Sequence, residues 1–541
     1  MPRGPIPPRR GGRSSYATIT VLNPGKGLNN LISDNLIDDR EASSLENIMY
    51  VESGAPSKAY GFVQAGNTLS NNPRGLGFYN DTDNSNRYLL TVDGTTLKYL
   101  NGNSWTAISG ATFNSSSQIN MTQALGKMYI WDGVNGGAEL NGLTLSRPGT
   151  MPKARFSIYY GNYHCAAGVD GQLNRLYISV LNNASDFTNA SSTLHNSTEV
   201  PGATVFAGSG ANFVDVSKND GDKITGLAKF QDALIIFKER SVFQMTFDST
   251  GTPVITAVSK SYGCVSHRSI ENVENDVFFL SRNGVYVLGN EPNYFNVIRT
   301  NELSSRIHPV IETINPANYT GATALFNQYV YYLGIPAGGV SANNQTLTYD
   351  HRFYAWSKWT HVKPECLTVF TNSDNTDSIY FTSADSAKVY KMTNNYDADG
   401  QPISAQWTSK AFDLGDFSLY KRWIWIDILF RQLVGTIRID VITDNGNISK
   451  TTTVTSSSVG GLGSYPLGGG DWLGGTVEAG SGGSTTASTN IPYRIRLSIK
   501  SRTLKIKISN DRVGETFVVL GLKPGFRRYS SFVFPSAQKL Q

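Results

Sequence analysis

The groups in this chain that could do chemistry are few and scattered. Cys165, Cys264 and Cys366 stand about a hundred residues apart, with no C-x-x-C spacing. A thiolate zinc site needs ligands a few residues apart, and a disulfide scaffold needs a dense, even set. The expected reading is three small buried apolar residues. His164, His195, His267, His308, His351 and His361 show no metal-ligand spacing and are read as packed or surface histidines. The chain has no P-loop, no G-x-S-x-G elbow and no H-E-x-x-H pair. Glycoside hydrolysis would need two carboxylates about 5–9 Å apart. Asp93-Gly94-Thr95-Thr96 is only a partial echo of a sialidase-type Asp box and reads as a hairpin turn. Asn219–Asp222 and Asp397–Gly400 offer oxygen ligands but lack the closing Glu of a twelve-residue calcium loop, so turn chemistry is expected for both. No cofactor, metal or catalytic residue is assigned.

The densest candidate is cationic. Arg494, Arg496 and Lys500 alternate with Ile495, Leu497 and Ile499, and Lys505 and Lys507 alternate with Leu504, Ile506 and Ile508. Period-two alternation describes half-buried strands with an apolar inner face and a charged outer one. With Arg502, these residues form a candidate stripe for contact with protein or nucleic acid. Aromatic residues do not interleave within the stripe, which argues against base stacking and favours docking on an acidic protein surface. A second cationic element is the N-terminus, where Arg3, Arg9, Arg10 and Arg13 occur without an acid. It has too little apolar content to fold alone and reads as a docking arm.

These charges sit on an uneven background. The net charge is +5, and residues 415–541 hold sixteen Lys/Arg against eight Asp/Glu. An acidic body joined to a basic C-terminal domain is expected. No stretch approaches the roughly 18 apolar residues needed to span a bilayer. The most apolar run, residues 423–430, is strand-length and interrupted by Asp427. The N-terminus lacks the apolar core of a secretory signal, so assembly in a cytoplasm is expected.

The elements that must carry these groups are strands. Charged residues make up only 16%, while Gly numbers 53, Tyr 27 and Phe 25. That balance favours turns and strands over helices. The one helical candidate is Asp38–Asn47, with acids near its start. Hairpins are predicted at 88–100, 127–133, 233–245 and 277–288, and by pairing 328–333 with 346–349 and 378–381 with 388–392. Four short strands with turns take about 40–50 residues, the size of one propeller blade. The expected fold is all-β: a multi-bladed β-propeller of six or seven blades plus a C-terminal β-sandwich-like platform. The expected domains are a flexible arm (1–15), a lead segment joining the platform (16–60), the propeller (61–405) and the platform (406–541) with a Gly/Ser-rich loop at about 456–489.

Residues 27–42 (GLNNLISDNLIDDREA), followed by Asn47 and Tyr60-Gly61, resemble the opening of phage tail proteins in which such a segment precedes a propeller. Pro152–Asn162, Leu234–Phe243, Gly263–Ser266, Phe278–Tyr286, Trp356–Trp359, Thr408–Gly415 and Lys421–Trp423 extend the resemblance over most of residues 20–430. The family it points to is the tail nozzle, or tail tubular, protein of short-tailed phages. The resemblance implies a homohexameric ring in the virion, below the portal and its adaptor ring. It also implies contacts with tail fibres or spikes and a tail needle or tip, and double-stranded DNA passing through the lumen without sequence recognition. The arm then becomes a candidate for adaptor docking. A receptor-binding or baseplate protein contacting host glycan, and a propeller glycosidase, are the alternative readings.

Overall fold

A computed structural model describes residues 16–188, 194–196, 204–206, 212–218, 220–248, 253–290, 298–444, 446–456, 464–465, 474–475 and 491–528. Arg3, Arg9, Arg10, Arg13 and most of the 456–489 stretch lie outside these residues. Among the described residues the only α-helix is the four-residue His308–Ile311, alongside three short 3-10 segments. No helix among these described residues is long and apolar enough to cross a membrane.

The expected helix at Asp38–Asn47 is instead a turn followed by the strand Ala42–Glu46. The acids do not cap a helix. The Glu41 carboxylate accepts from Asp38 N and Asn29 Nδ2, both at 2.9 Å, and closes the turn. Ala42 and Leu45 then bury against the strand Ala405–Ser409. Pairing with a distant strand outweighs the weak local preference for helix.

Contacts divide the chain into two units, Tyr60–Ile403 and Met1–Ala59 together with Ser404–Gln541. The boundary falls at 403/404, not 405/406, because Ala405 opens a strand of the platform. The first unit is the expected propeller and contains seven sheets. Blades 1 to 6 begin at the strands Leu76–Asp81, Asn120–Ala124, Phe156–Tyr160, Ile224–Phe230, Glu271–Val273 and Thr323–Asn327. Blade 7 comprises Pro364–Thr371, Asp377–Ser383 and Val389–Met392, completed by Phe62–Gln64 from the start of the unit. The predicted hairpins at 88–100, 233–245 and 277–288 occur as strand pairs within blades 1, 4 and 5. At the first, Gly94 takes φ +62, a left-handed turn conformation that costs glycine little.

Closure into a ring follows from how blade strands are buried. In the blade 4 strand Ala233–Lys238 all six residues are buried, so side chains on both faces need partners. Leu234 and Ile236 pack with Leu176, Ile178 and Val214 of blade 3. Ile235 and Phe237, pointing the other way, pack with Val277, Phe279 and Leu288 of blade 5. The same alternation recurs in blade 2, where Met128 and Ile130 face blade 1 while Tyr129 and Trp131 face blade 3. A sheet apolar on both faces is stable only between two others, and a closed ring satisfies every blade. The first strands of the blades adjoin one another in sequence, and that of blade 7 meets that of blade 1.

Among the described residues the second unit has two large sheets and the small pair Ser464–Tyr465 with Gly474–Gly475. One runs Ile48–Tyr50, Pro56–Lys58, Thr516–Arg528, Lys421–Val434, Ile491–Ser501. The other runs Ala42–Glu46, Ala405–Ser409, Leu504–Asn510, Thr436–Thr443, Ile448–Thr455. The long strand Lys421–Val434 shifts register in two places, at residues 423–425 and within 429–432. Each resets which side chains are buried: Trp423, then Ile426, Ile428 and Phe430, then Leu433. Bulges of this kind let one strand keep an apolar face through a strong twist.

Candidate functional site

Arg494, Arg496 and Lys500 project from the exposed side of the strand Ile491–Ser501, while Ile495 and Leu497 are buried beneath them. Lys505 and Lys507 do not continue that face. The chain changes sheet at Arg502-Thr503, and the strand Leu504–Asn510 belongs to the other sheet. The change is held by Asp444, which accepts from Arg502 N at 2.8 Å and from Thr503 N, and by Ser501 Oγ, which donates to Thr503 O at 2.6 Å. Lys505 is ion-paired with Asp34, and Lys507 stands in register with Thr408 and Asp440. The single stripe expected from alternation is therefore two separate groups. Alternation specifies a face within one strand and nothing about which sheet the next strand joins.

What joins the first group comes from elsewhere in the sequence. Register sets Arg527, Arg422 and Lys500 in one cross-strand row, Gly525, Trp425 and Arg496 in the next, and Lys523, Asp427 and Arg494 in the third. Aromatic rings do interleave here, contrary to the reading from the strand alone. The Arg494 guanidinium lies 5.1 Å from the Trp425 ring centre, and Tyr16 meets Trp425 edge-on at 5.1 Å. Arg527 sits 4.2 Å over Tyr16, and Lys500 and Arg502 lie 5.2 and 5.0 Å from Tyr420. Gly525 makes room for the Trp425 indole: a Cβ there would stand 2.2 Å from its Cε2. Arg494 also donates to both Asp427 oxygens, at 2.6 and 2.8 Å, and that carboxylate pushes the guanidinium's pKa up. The signal in the sequence was Trp425 lying among Lys421, Arg422 and Asp427, legible only once the register is known.

The other candidate groups are consumed internally. The Asp220–Asp222 turn holds an ammonium. Fully buried Lys238 places Nζ 2.7 and 2.6 Å from the Asp220 oxygens and 3.2 Å from Val216 O. Asp222 accepts from Glu239 N, Arg240 N and Ser241 Oγ. Burial raises the Asp220 pKa, but the Lys238 ammonium together with bonds from Asp222 N and the Ser217 side chain outweighs that and holds it below the ordinary carboxylate value. In the second acidic turn Asp397 caps Gly400 N, and Asp399 pairs with Lys388 at 3.2 Å. The three cysteines are buried and free. His164 is fully buried, with ring nitrogens 2.8 Å from Ala184 O and 2.9 Å from Ser157 Oγ. The side chain of His195 lies outside the described residues.

Sequence reasoning missed a polar cluster on the propeller axis. Arg268, in the 3-10 turn His267–Ser269 before blade 5, donates to Glu365 O at 3.1 Å, Arg74 O at 2.7 Å and Ile119 O at 3.1 Å. Those carbonyls belong to blade 7 and to the segments entering blades 1 and 2. Blades 1 and 2 are each three blades away from blade 5 in a ring of seven. Gln118 Nε2 donates to Thr320 O at 3.0 Å, between the entries to blades 2 and 6. A cavity of about 290 Å³ opens beside these groups, lined among others by Asn120, Arg155, Phe156, Thr225 and His267. His267 stacks on Phe156 with ring centres 4.8 Å apart.

Burial shifts several titratable groups of the propeller, among them His164, His267, Glu271 and Glu365. Desolvation lowers His164 and His267 to about 4 and raises Glu271 to about 8. Stability contributed by the two neutral histidines is complete above their unfolded value near 6.5 and is lost as pH falls toward 4. Stability contributed by protonated Glu271 is complete below about 4.5 and is lost as pH rises toward 8. The opposing limbs meet near pH 6.5, where stability should peak. Above that point it should fall by roughly 1.4 kcal/mol per pH unit. Glu271→Gln should make this alkaline limb much shallower in urea-unfolding midpoints measured from pH 5 to 9, leaving what the buried Glu365 contributes. A midpoint that falls as steeply in the variant as in the unaltered chain would assign the limb to another group.

No family model matches the chain, and no curated protein matches it. Solved structures similar to it include BamB from Moraxella catarrhalis, with 13% identity, covering 61% of this chain and 97% of that one at a TM-score of 0.35. BBS1N in complex with ARL6DN shows 10% identity, covering 62% and 97% at 0.36. The computationally designed Ika8 protein shows 8% identity, covering 62% and 99% at 0.34.

Proposed function

We propose that this chain is a structural component of a short phage tail. It forms a six-fold ring below the portal and adaptor through which the genome leaves. The observation that carries this reading is the role of the residues in which the resemblance to tail nozzle proteins lies: they act as fasteners. Asn29 and Glu41 close the turn that leads into the platform strand Ala42–Glu46. Asn47, at φ +53, donates from its side chain to Ser404 O at 2.8 Å, so it ties the two ends of the platform unit that flank the propeller insertion. Gly61 lies so close to Asp397 that a Cβ would stand 1.6 Å from its carbonyl oxygen. Trp356 donates to Leu303 O at 3.0 Å, joining blades 5 and 6. Such positions hold shape, as a tube component requires.

Electron microscopy of the purified protein, alone and with an adaptor ring, tests the assignment. Six-fold rings are the expected result. Trimers under both conditions, or cleavage of host glycan by the purified chain, would overturn it.

A further inference from the structure

We propose that the exposed face formed by Arg422, Arg494, Arg496, Lys500, Lys523 and Arg527 binds the phosphate backbone of double-stranded DNA without reading sequence. The inference rests on the platform unit alone and does not depend on the tail assignment.

The three cross-strand rows place six cations and one carboxylate on a single sheet face. That carboxylate, Asp427, is occupied by Arg494. Among the described residues, Arg422, Arg496 and Lys523 have no acidic partner, and all three are exposed. A face built only for solubility would mix both signs. Along each strand, alternate residues stand about 6.8 Å apart, and neighbouring strands lie about 4.8 Å apart. The result is a grid of positive charge on a rigid support. Arg494 and Arg527 are held over rings, which restrains their guanidiniums before any ligand arrives. Less side-chain freedom is then lost on contact with an anion.

Two features choose duplex DNA over other anionic partners. An acidic protein would be expected to meet an apolar or aromatic anchor at the centre of its interface, where charged residues are depleted. Here the central Trp425 is covered by Arg494 and Tyr16, and Tyr16, itself about half exposed, carries the Arg527 guanidinium over its ring. The same cover withholds the ring from base stacking, which single-strand binding uses. Phosphate contact through Lys and Arg remains, and it needs no base readout.

The test is titration of the full chain with a short mixed-sequence duplex across a series of salt concentrations. Binding should weaken with log salt, with a slope of about −0.9 per phosphate contact. The variant Arg422→Gln/Arg496→Gln/Lys523→Gln should make that slope shallower by up to about 2.7, and a duplex of different sequence should behave alike. Lys505→Gln/Lys507→Gln, on the other sheet, should leave the slope unchanged. The N-terminal arginines are common to all of these proteins, so the difference reports the face. Single Lys523→Gln, at an exposed position, should lower the slope by about 0.9 and serves if the triple variant does not fold. No duplex binding at low salt, an unchanged slope in the face variants, or an equal loss in the Lys505/Lys507 pair would overturn the proposal. Self-association abolished by the face variants without duplex binding would assign the surface to a second copy instead.

Discussion

Arg268→Ala should destabilise the propeller by about 3–5 kcal/mol, a large effect for a residue in a three-residue turn. The side chain is mostly buried and donates to three backbone carbonyls, of Arg74, Ile119 and Glu365. Truncation leaves the Ile119 and Glu365 carbonyls without their charged donor, while Arg74 O keeps only its bond from Ile119 N at 3.1 Å. Each orphaned buried acceptor costs roughly 1–3 kcal/mol. The contacts also join strand entries from distant parts of the ring, so their loss should be felt as loosened closure as well as local fraying.

A second readout separates this role from ordinary packing. Burial raises the pKa of Glu365, while Arg268 and Arg74 draw it back down. Removing Arg268 should raise it further, so the deficit should be larger at pH 8 than at pH 5. Arg268→Lys should rescue in part, because a point charge cannot serve carbonyls in several directions as a planar fork does. Urea midpoints for both variants at the two pH values decide the matter. A loss under 1 kcal/mol, or one independent of pH, would mean the axis does not depend on this side chain.

Phe62→Ala should cost a similar amount, roughly 3–5 kcal/mol, and should also change how the molecule associates. Phe62–Gln64 is only three residues long, yet it supplies the strand that closes blade 7 against Val389–Met392. Its backbone pairing is too short to hold alone, so the side chain must contribute. Phe62 is buried, 4.6 Å from the Tyr390 ring centre and 5.1 Å from that of Phe381. With the ring removed, Val389–Met392 becomes an open edge, and open edges pair with other chains. Size-exclusion chromatography should show heterogeneous species that the unaltered chain does not form, and limited proteolysis should cut between residues 383 and 392. Phe62→Leu, which keeps most of the apolar volume, should stay monodisperse and lose less. A monodisperse, protease-resistant Phe62→Ala would show that closure rests on other contacts.

The same two regions separate what local sequence can express from what it cannot. Alternation and turn residues act over a handful of positions. That is why the hairpins at 88–100, 233–245 and 277–288, and the all-β class, are legible in the sequence alone. The axis was not legible, because nothing around Arg268 marks it as different from any other surface arginine. Its three partners lie roughly one hundred to two hundred residues away in the chain.

The cationic face follows the same rule. Strand periodicity determined that Arg494, Arg496 and Lys500 would share one face and that Ile495 and Leu497 would be buried under them. It could not tell that Lys505 and Lys507 belong to another sheet, since a two-residue turn can continue a hairpin or cross between sheets. Nor could it bring Tyr16, Trp425 and Arg527 together, because cross-strand register is set by backbone pairing between segments far apart in sequence. The turn at Asp38–Glu41 was misread for a related reason. Its acids look like a helix start until Asn29, twelve residues earlier, claims one of them. Composition and period therefore determined the strand content and the face each residue takes. The closure of the ring, the hydrogen bonds across its axis and the make-up of the charged surface were decided by pairings that only the folded chain brings within reach.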